Sequence, residues 1–586
     1  MSNWYRLSRS FYIQKCQRGE PQGKSNPMKK LLLSLLFAIV AICTFAQSFE
    51  YDGIKYEVLD NSVKTCMVAS YNSVSGNITI PSAVTYNGSQ YTVTVIGWSA
   101  FENCSELTSI YLPKSLISIG SWAFSGCSSL NVMNIPSGVT NIDYEAFSGC
   151  KSLTEITLPN SLTSIADGAF EYCSNLISIS LPDNLTSIGL MSFYGCLSLN
   201  EITIPEKLSS IGERAFTYCT SLMAINVVSE NKYFTSIDGV LFTKDLSIII
   251  QCPGGKSGKY SIPDGVISIG DYAFRGCIHL TEINVPEGIT SSGFVAFSDC
   301  SNLITISLPE SLTTIDSSSF SDCTSLTSIS LPENLTYIGP WAFSNCTSLT
   351  AITLPASLTS FREQIFSGCS SLTSINVSSE NQVLTSKDGV LFSKDLSILI
   401  MYPEGKTGEY IIPEGVTTIT VYAFEKCLNL TSIIIPEGTT SILDYAFHGC
   451  SNLTLVNLPK TLESIGYAAF GDCSSLSTVN SYATTPPKCY NDDVFAGIPS
   501  DAILHVPVGT KDAYATAIGW SIFSNIIDDL NPIMGVEEIE TPSKDADDSV
   551  MVYNLQGLRM DASNRSELPS LPSGIYIIEG RKVYVK

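Results

Sequence analysis

Histidine is almost missing from this chain. His279, His448 and His505 are the only three in 586 residues, no two are neighbours, and none sits in a motif with a convincing nucleophile. That removes most of the raw material for general-base triads and imidazole-rich metal sites. His279 and His448 occupy variable repeat positions and are expected to face solvent. Positive charge is thin as well: 32 Lys and Arg stand against 55 Asp and Glu, for a net charge of −23. No basic run is long enough to follow a phosphate backbone, which excludes nucleic acid as a partner. The phosphate-binding loop, the dinucleotide fingerprint, HExxH and GxSxG are all absent. The sequence therefore calls for no cofactor, no metal and no catalytic residue, and reads as non-enzymatic.

Long apolar runs are equally scarce. The one that exists, LLLSLLFAIVAI, follows Met28-Lys29-Lys30 and precedes Thr44-Phe45-Ala46. Basic start, apolar middle and small residues at the cut make residues 28–46 a signal peptide, with the mature chain starting at Gln47. Cys43 follows Ile42, not Gly or Ala, which argues against a lipoprotein cleavage site. Residues 1–27 have no place in such a signal and are expected to be an extension of the gene model. Past residue 46 no run reaches the roughly 18 residues needed to span a bilayer, so the mature chain is not transmembrane.

What the chain has in quantity is one repeated phrase. Phenylalanine recurs at a step of 23 from Phe101 to Phe216, from Phe274 to Phe366 and from Phe424 to Phe470. A cysteine stands three residues after each of these fourteen anchors, which accounts for 14 of the 19 cysteines. In the unit LTEITLPNSLTSIADGAFEYCSN (153–175) the recurring apolar positions are Leu153, Ile156, Leu158, Leu162, Ile165, Ala169, Phe170 and Cys173. Leu-x-x-Ile-x-Leu alternates as a short strand with one buried face, Pro159 ends it, and Ala-Phe-x-x-Cys packs a tight or single helical turn on the interior. A unit this short cannot bury its own apolar face, so the units stack. In-register stacking sets the cysteines about 4.7–4.9 Å apart in a column. A ladder of buried structural thiols fits that column best, with scattered disulfides or a metal or catalytic role as the competing readings.

The unit L-x-x-I-x-L-P-x-x-L-x-x-I-G-x-x-A-F-x-x-C-x-x resembles the leucine-rich repeat of the BspA-like bacterial surface-antigen family over about 400 residues. The resemblance implies a right-handed repeat solenoid displayed at the bacterial cell surface, mostly β with short turns, some relatives being adhesins that bind host matrix proteins or other cells.

The expected layout is an N-terminal β cap over 47–95, a solenoid of fifteen Phe-anchored rungs over 96–498, a C-terminal cap over 499–535, an acidic linker over 536–548 and a small β module over 549–586. The module's VYNLQGLRM and LPSGIYIIEGRKVYVK resemble the C-terminal sorting domain of type IX secretion cargo. Two rungs carry 35 extra residues, near 229–260 and 379–410, in copies offset by 150 (SENKYFTSIDGVLFTKDLSIII and SENQVLTSKDGVLFSKDLSILI). Asp-Gly turns within them predict β-hairpins that flank the solenoid and widen one face, either as a ledge for a ligand or as a duplicated structural spacer. A hydrolase hidden there is disfavoured, since one active site seldom appears twice.

Two surfaces are open to a partner. The outward strand positions, such as Ser178 and Ser180 or Thr305 and Ser307, form a small hydroxylated strip. Aromatics collect just before the Ala-Phe anchor: Trp98, Trp122, Tyr144, Tyr272, Trp341, Tyr422, Tyr445 and Tyr467. Exposed, they would line one edge of the solenoid for a partner; otherwise each ring fills space over the next turn. The expected function is adhesion to host or neighbouring-cell proteins, with glycan capture for nutrient uptake as the alternative.

Overall fold

The structure, a computed structural model, describes residues 47–69, 74–362 and 364–530, and the backbone of strands at 552–554, 574–578 and 581–585. The signal-peptide and linker expectations lie outside these residues. The chain forms a mostly β solenoid of about 20 coils. More coils exist than Phe anchors, because the inserts and both ends add strands to the ladders.

Each regular coil contributes to two parallel ladders. In the first, the central Ile of Leu-x-x-Ile-x-Leu pairs coil to coil, as in Met133, Ile156 and Ile179. In the second, two-residue strands pair Ile165 with Ile188 and Ile188 with Ile211. Strand Glu155–Thr157 exposes, buries and exposes its residues in turn, which is the alternation the sequence encodes. Between the ladders the Phe rings form a file, 5.3 Å and 8° apart from Phe101 to Phe124 and 5.5 Å and 6° from Phe170 to Phe193. Such offset stacks add about 0.5–1.5 kcal/mol each to the burial of the rings.

The Phe turn is a third, less regular ladder. The N–H groups of Trp122, Phe124 and Gly126 donate to the carbonyls of Tyr144, Ala146 and Ser148 on the next coil. Turning all three toward one neighbour takes left-handed residues on either side of the Phe. Accordingly, the positions two before and two after every one of the fourteen anchors have positive φ, from Ser99 (52°) and Asn103 (60°) to Ala468 (46°) and Asp472 (56°).

The cysteines complete this turn. Cys127, Cys150 and Cys173 each donate Sγ–H to the carbonyl of a Phe 26 residues earlier, at 3.0–3.2 Å. All seventeen cysteines among the described residues are buried, and none is in a disulfide. Burial pushes the Cys173 and Cys219 thiols up to about 12.

The inserts lie within the stack, not alongside it. Phe234–Ile237, Val240–Thr243 and Ile248–Gln251 make an antiparallel meander, and its last strand joins the second ladder through Ile249 and Ile269. Leu241 belongs to the core on one side, whereas Val240 and Phe242 belong to the core on the other. The copy does the same with Leu391 against Val390 and Phe392. These strands are septa, buried on both faces, which is why Val-Leu-Phe is continuously apolar. The flanking position expected from the sequence fails because both faces of the strand are occupied.

At the N-terminal end, antiparallel strands between Ser48 and Val68 feed the second ladder through Ser89–Ile96, while Gly76–Thr79 starts the first. At the other end Ile503–Pro507 and Asn525–Leu530 extend the first ladder beyond residue 498. There Trp520 and Phe523 close the Phe file against Phe495, at 5.2 and 5.1 Å. Strands Val552–Asn554, Gly574–Ile578 and Arg581–Val585 pair antiparallel.

Candidate binding surface on the turn edge

The turn ladder sets the aromatic edge. Trp122, Tyr272, Trp341, Tyr422 and Tyr445 take the left-handed position two before Phe, and Trp98, Tyr144 and Tyr467 stand one residue earlier. With one coil per strand spacing, rings at these positions reach their neighbours. Trp98, Trp122 and Tyr144 make a continuous run of edge-on contacts at 5.8 and 5.0 Å. Trp98 is 65% exposed and Tyr144 41%, while the Trp122 indole N–H donates to the Glu145 carboxylate at 3.1 Å. A second run joins Tyr422 to Tyr445 (5.2 Å, 12°) and Tyr445 to Tyr467 (5.2 Å, 67°). Trp341 is exposed, its indole N–H donating to the Gln364 amide oxygen.

Tyr272 differs from the rest. It is only 6% exposed, because the Arg214 guanidinium lies 4.2 Å over its ring and donates to its hydroxyl at 2.7 Å. The eight candidates thus form two runs, one single ring and one covered ring.

Sequence reasoning passed over a third group. Tyr172, Tyr194 and Tyr218 contact edge-on at 5.4 and 5.2 Å, and Arg275 packs 5.3 Å from the Tyr218 ring while pairing with Asp299 at 3.2 Å. These tyrosines follow the anchor Phe instead of preceding it, and that position was their available signal. His448 was expected in solvent but is half-buried, edge-on to Tyr445 and 3.3 Å from Asp472.

Two carboxyls on this edge are perturbed. Glu171 is pushed up to about 7 by burial, with the nearby Glu145 adding to it. Glu404, at the second insert, is likewise pushed up to about 7, by burial and then Glu425, against the Gly368 N–H and Lys426. Among the described residues no group of three or more His, Cys, Asp or Glu converges as a metal ligand set, and no helix is long and apolar enough to cross a membrane.

The BspA type leucine rich repeat region matches in six copies, over residues 94–223, 256–389 and 402–503. The chain belongs to the BspA-type leucine-rich-repeat family. Among solved structures, a leucine rich cell surface protein of Faecalibacterium prausnitzii is 32% identical, with a TM-score of 0.51 over 57% of this chain and 95% of that one. A leucine-rich repeat protein of Bacteroides ovatus is 27% identical over 74% of this chain and 94% of its own (TM-score 0.34). The pneumococcal vaccine antigen PcpA is 22% identical over 83% and 99% (TM-score 0.46). Comparison with curated proteins finds no match. The BspA-type solenoid is typical of binding scaffolds, in which an extended stack of short coils presents long edges and faces to other molecules.

Proposed function

We propose that this BspA-type chain is displayed outside the cell and works without catalysis, by adhering to proteins of a host or a neighbouring cell through its turn edge. The observation that carries this reading is the run Trp98, Trp122 and Tyr144, with Trp98 and Tyr144 exposed on either side of the half-buried Trp122 and all three held in fixed geometry by the coil spacing. Rigid aromatics give large contact area at little entropic cost, which is why protein interfaces favour them. The cell-surface relative from Faecalibacterium prausnitzii supports the location, as does the signal peptide read from the sequence. The glycan-capture alternative draws on the same rings, since aromatic platforms also stack sugars.

The test is a binding screen of the chain from Gln47 onward against extracellular matrix proteins and a glycan array, beside a Trp98→Ala, Tyr144→Ala variant. Saturable protein binding that the variant loses supports adhesion at this edge. Glycan binding alone transfers the site to nutrient capture, and binding untouched by the variant moves it elsewhere.

A further inference from the structure

The two inserts are copies, yet the turn-edge seams beside them have diverged in charge. At the first seam the chain supplies its own cation. Arg214, from the coil before the insert, reaches 58 residues along the chain to cover Tyr272 and hydrogen-bond its hydroxyl, and Arg275 lies against Asp299. A shift of 150 residues gives the second seam: Gln364 stands for Arg214, Glu425 for Arg275, Glu404 for Gly254, and only Tyr422 keeps its counterpart, Tyr272. Two guanidinium groups have been exchanged for an amide and a carboxylate and a second carboxylate has been added, while Lys426 stands for Gly276 and Gly449 for Asp299, so the seam goes from net positive to net negative.

The shorter Gln364 does not reproduce the lid. Its amide donates to Glu425 at 2.8 Å, and a half-open cleft remains, lined by Gln364, Tyr402, Glu404, Tyr422 and Glu425. Glu404 is fixed there by the Gly368 N–H at 2.8 Å, a backbone donor that regular coils give to the next coil. Lys426, mostly exposed, approaches Glu425 no closer than 3.8 Å. The cleft thus holds two carboxylates and a tyrosine wall, the surroundings that favour a planar cation by ion pairing and ring stacking.

We propose that this cleft receives one arginine side chain of a bound protein, its guanidinium against Tyr422 and between Glu404 and Glu425, where the first seam seats Arg214 on Tyr272. The inference rests on the protein-binding reading above and adds a specific recognition element to it. The groups facing the cleft are Glu404, Glu425, Lys426, Tyr402 and Tyr422, with the buried Cys427 thiol behind them. Arginine capture accordingly weakens as Glu404 takes up a proton below about pH 7.

The probe is N-acetyl-arginine amide, with the citrulline analogue as the neutral control, followed by saturation-transfer NMR on the chain from Gln47 onward. Saturable binding of arginine but not citrulline, weaker at pH 6 than at pH 8 and reduced about tenfold or more in Glu404→Gln plus Glu425→Gln, is the expected result. A second variant, Gln364→Arg, rebuilds the first seam's lid. It should fold, raise Tm and exclude the arginine probe. Equal binding of citrulline, no saturation, or undiminished binding in Gln364→Arg overturns the proposal. So does a Tm rise with calcium alone that depends on the two glutamates, which would make the cleft a metal site. The Trp98→Ala, Tyr144→Ala variant keeps arginine binding, so loss of the aromatic-edge reading and loss of this one are separate outcomes.

Discussion

The Cys173 thiol donates to the carbonyl oxygen of Phe147, 3.2 Å away on the preceding coil. One side chain thereby ties two turns together where a larger group would not fit. Because the bonded carbonyl also accepts the Cys150 N–H within its own coil, the thiol reinforces the turn and the stack at once.

Inert cysteines are the first prediction. With Cys173 pushed up to about 12 by burial, about one thiol in 10,000 is thiolate at pH 8. The folded chain from Gln47 onward, which holds the seventeen described thiols, should release essentially no colour from Ellman's reagent, and all seventeen should react once it is denatured. Its mass after alkylation should be the same with or without prior reduction. Cys173→Ala should cost about 1–2 kcal/mol, from the lost packing and the lost thiol hydrogen bond, the Phe147 carbonyl keeping its bond from the Cys150 N–H. Rapid labelling of the native chain would contradict the thiol ladder.

The turn geometry predicts substitutions of opposite sign at similar sites. Ser318 sits at φ 52°, so Ser318→Gly should stabilise the chain by about 1 kcal/mol through relief of left-handed strain. Gly149 is at φ +72° with nothing closer than 3.6 Å to an added Cβ, so Gly149→Ala should cost a similar amount from backbone strain alone. Urea midpoints of the two variants check both signs.

How far the sequence spoke for this fold differs from feature to feature. The step of 23 and the alternation around Ile156 are local signals, and they were enough to place the first ladder; the second, built of two-residue strands such as Ser164–Ile165, is too short to show an alternation and was read as a turn. The left-handed backbone on either side of Phe was not read, because Trp122 and Tyr422 occupy one of its two positions and bulky residues seldom adopt that conformation. Arg214 over Tyr272 could not be read at all: the partners are 58 residues apart, and their meeting depends on how the insert folds between them. The repeat put Trp98 and Tyr144 just before the anchor Phe, but left open whether such rings face solvent or fill space over the next turn, since that depends on neighbours in other coils.

Glu171 makes stability depend on pH. Its carboxyl is raised from an ordinary 4.5 to about 7 by burial and by Glu145, so the folded chain binds that proton more tightly than the unfolded chain. Stability contributed by the protonated form is present below about pH 4.5 and is lost as pH rises to about 7. Part of the side chain is solvated, which limits the change to about 1–2 kcal/mol. Denaturation midpoints at pH 5 and pH 8 should show greater stability at pH 5, and Glu171→Gln should reduce the difference. An unchanged slope in that variant would mean that the carboxyl is solvated in the fold.

The septa give the last prediction, because a buried spacer and an exposed ledge respond differently to the same truncation. Phe242 and its copy Phe392 are fully buried, each facing the core block that follows its insert. Phe242→Ala should therefore cost about 3–5 kcal/mol, and Phe392→Ala about the same, since the environments are duplicated. On a solvent-facing hairpin the loss would stay near 0.5 kcal/mol. The two variants should also fail at different places. A solenoid is held by nearest-neighbour contacts, so Phe242→Ala weakens the junction between the first and second blocks, and Phe392→Ala the junction between the second and third. Hydrogen exchange followed by mass spectrometry reads this directly: protection should fall first in coils adjoining the altered septum and persist in the distant block. A uniform loss along the chain would show that the blocks unfold as one unit and that the septa transmit stability instead of dividing it.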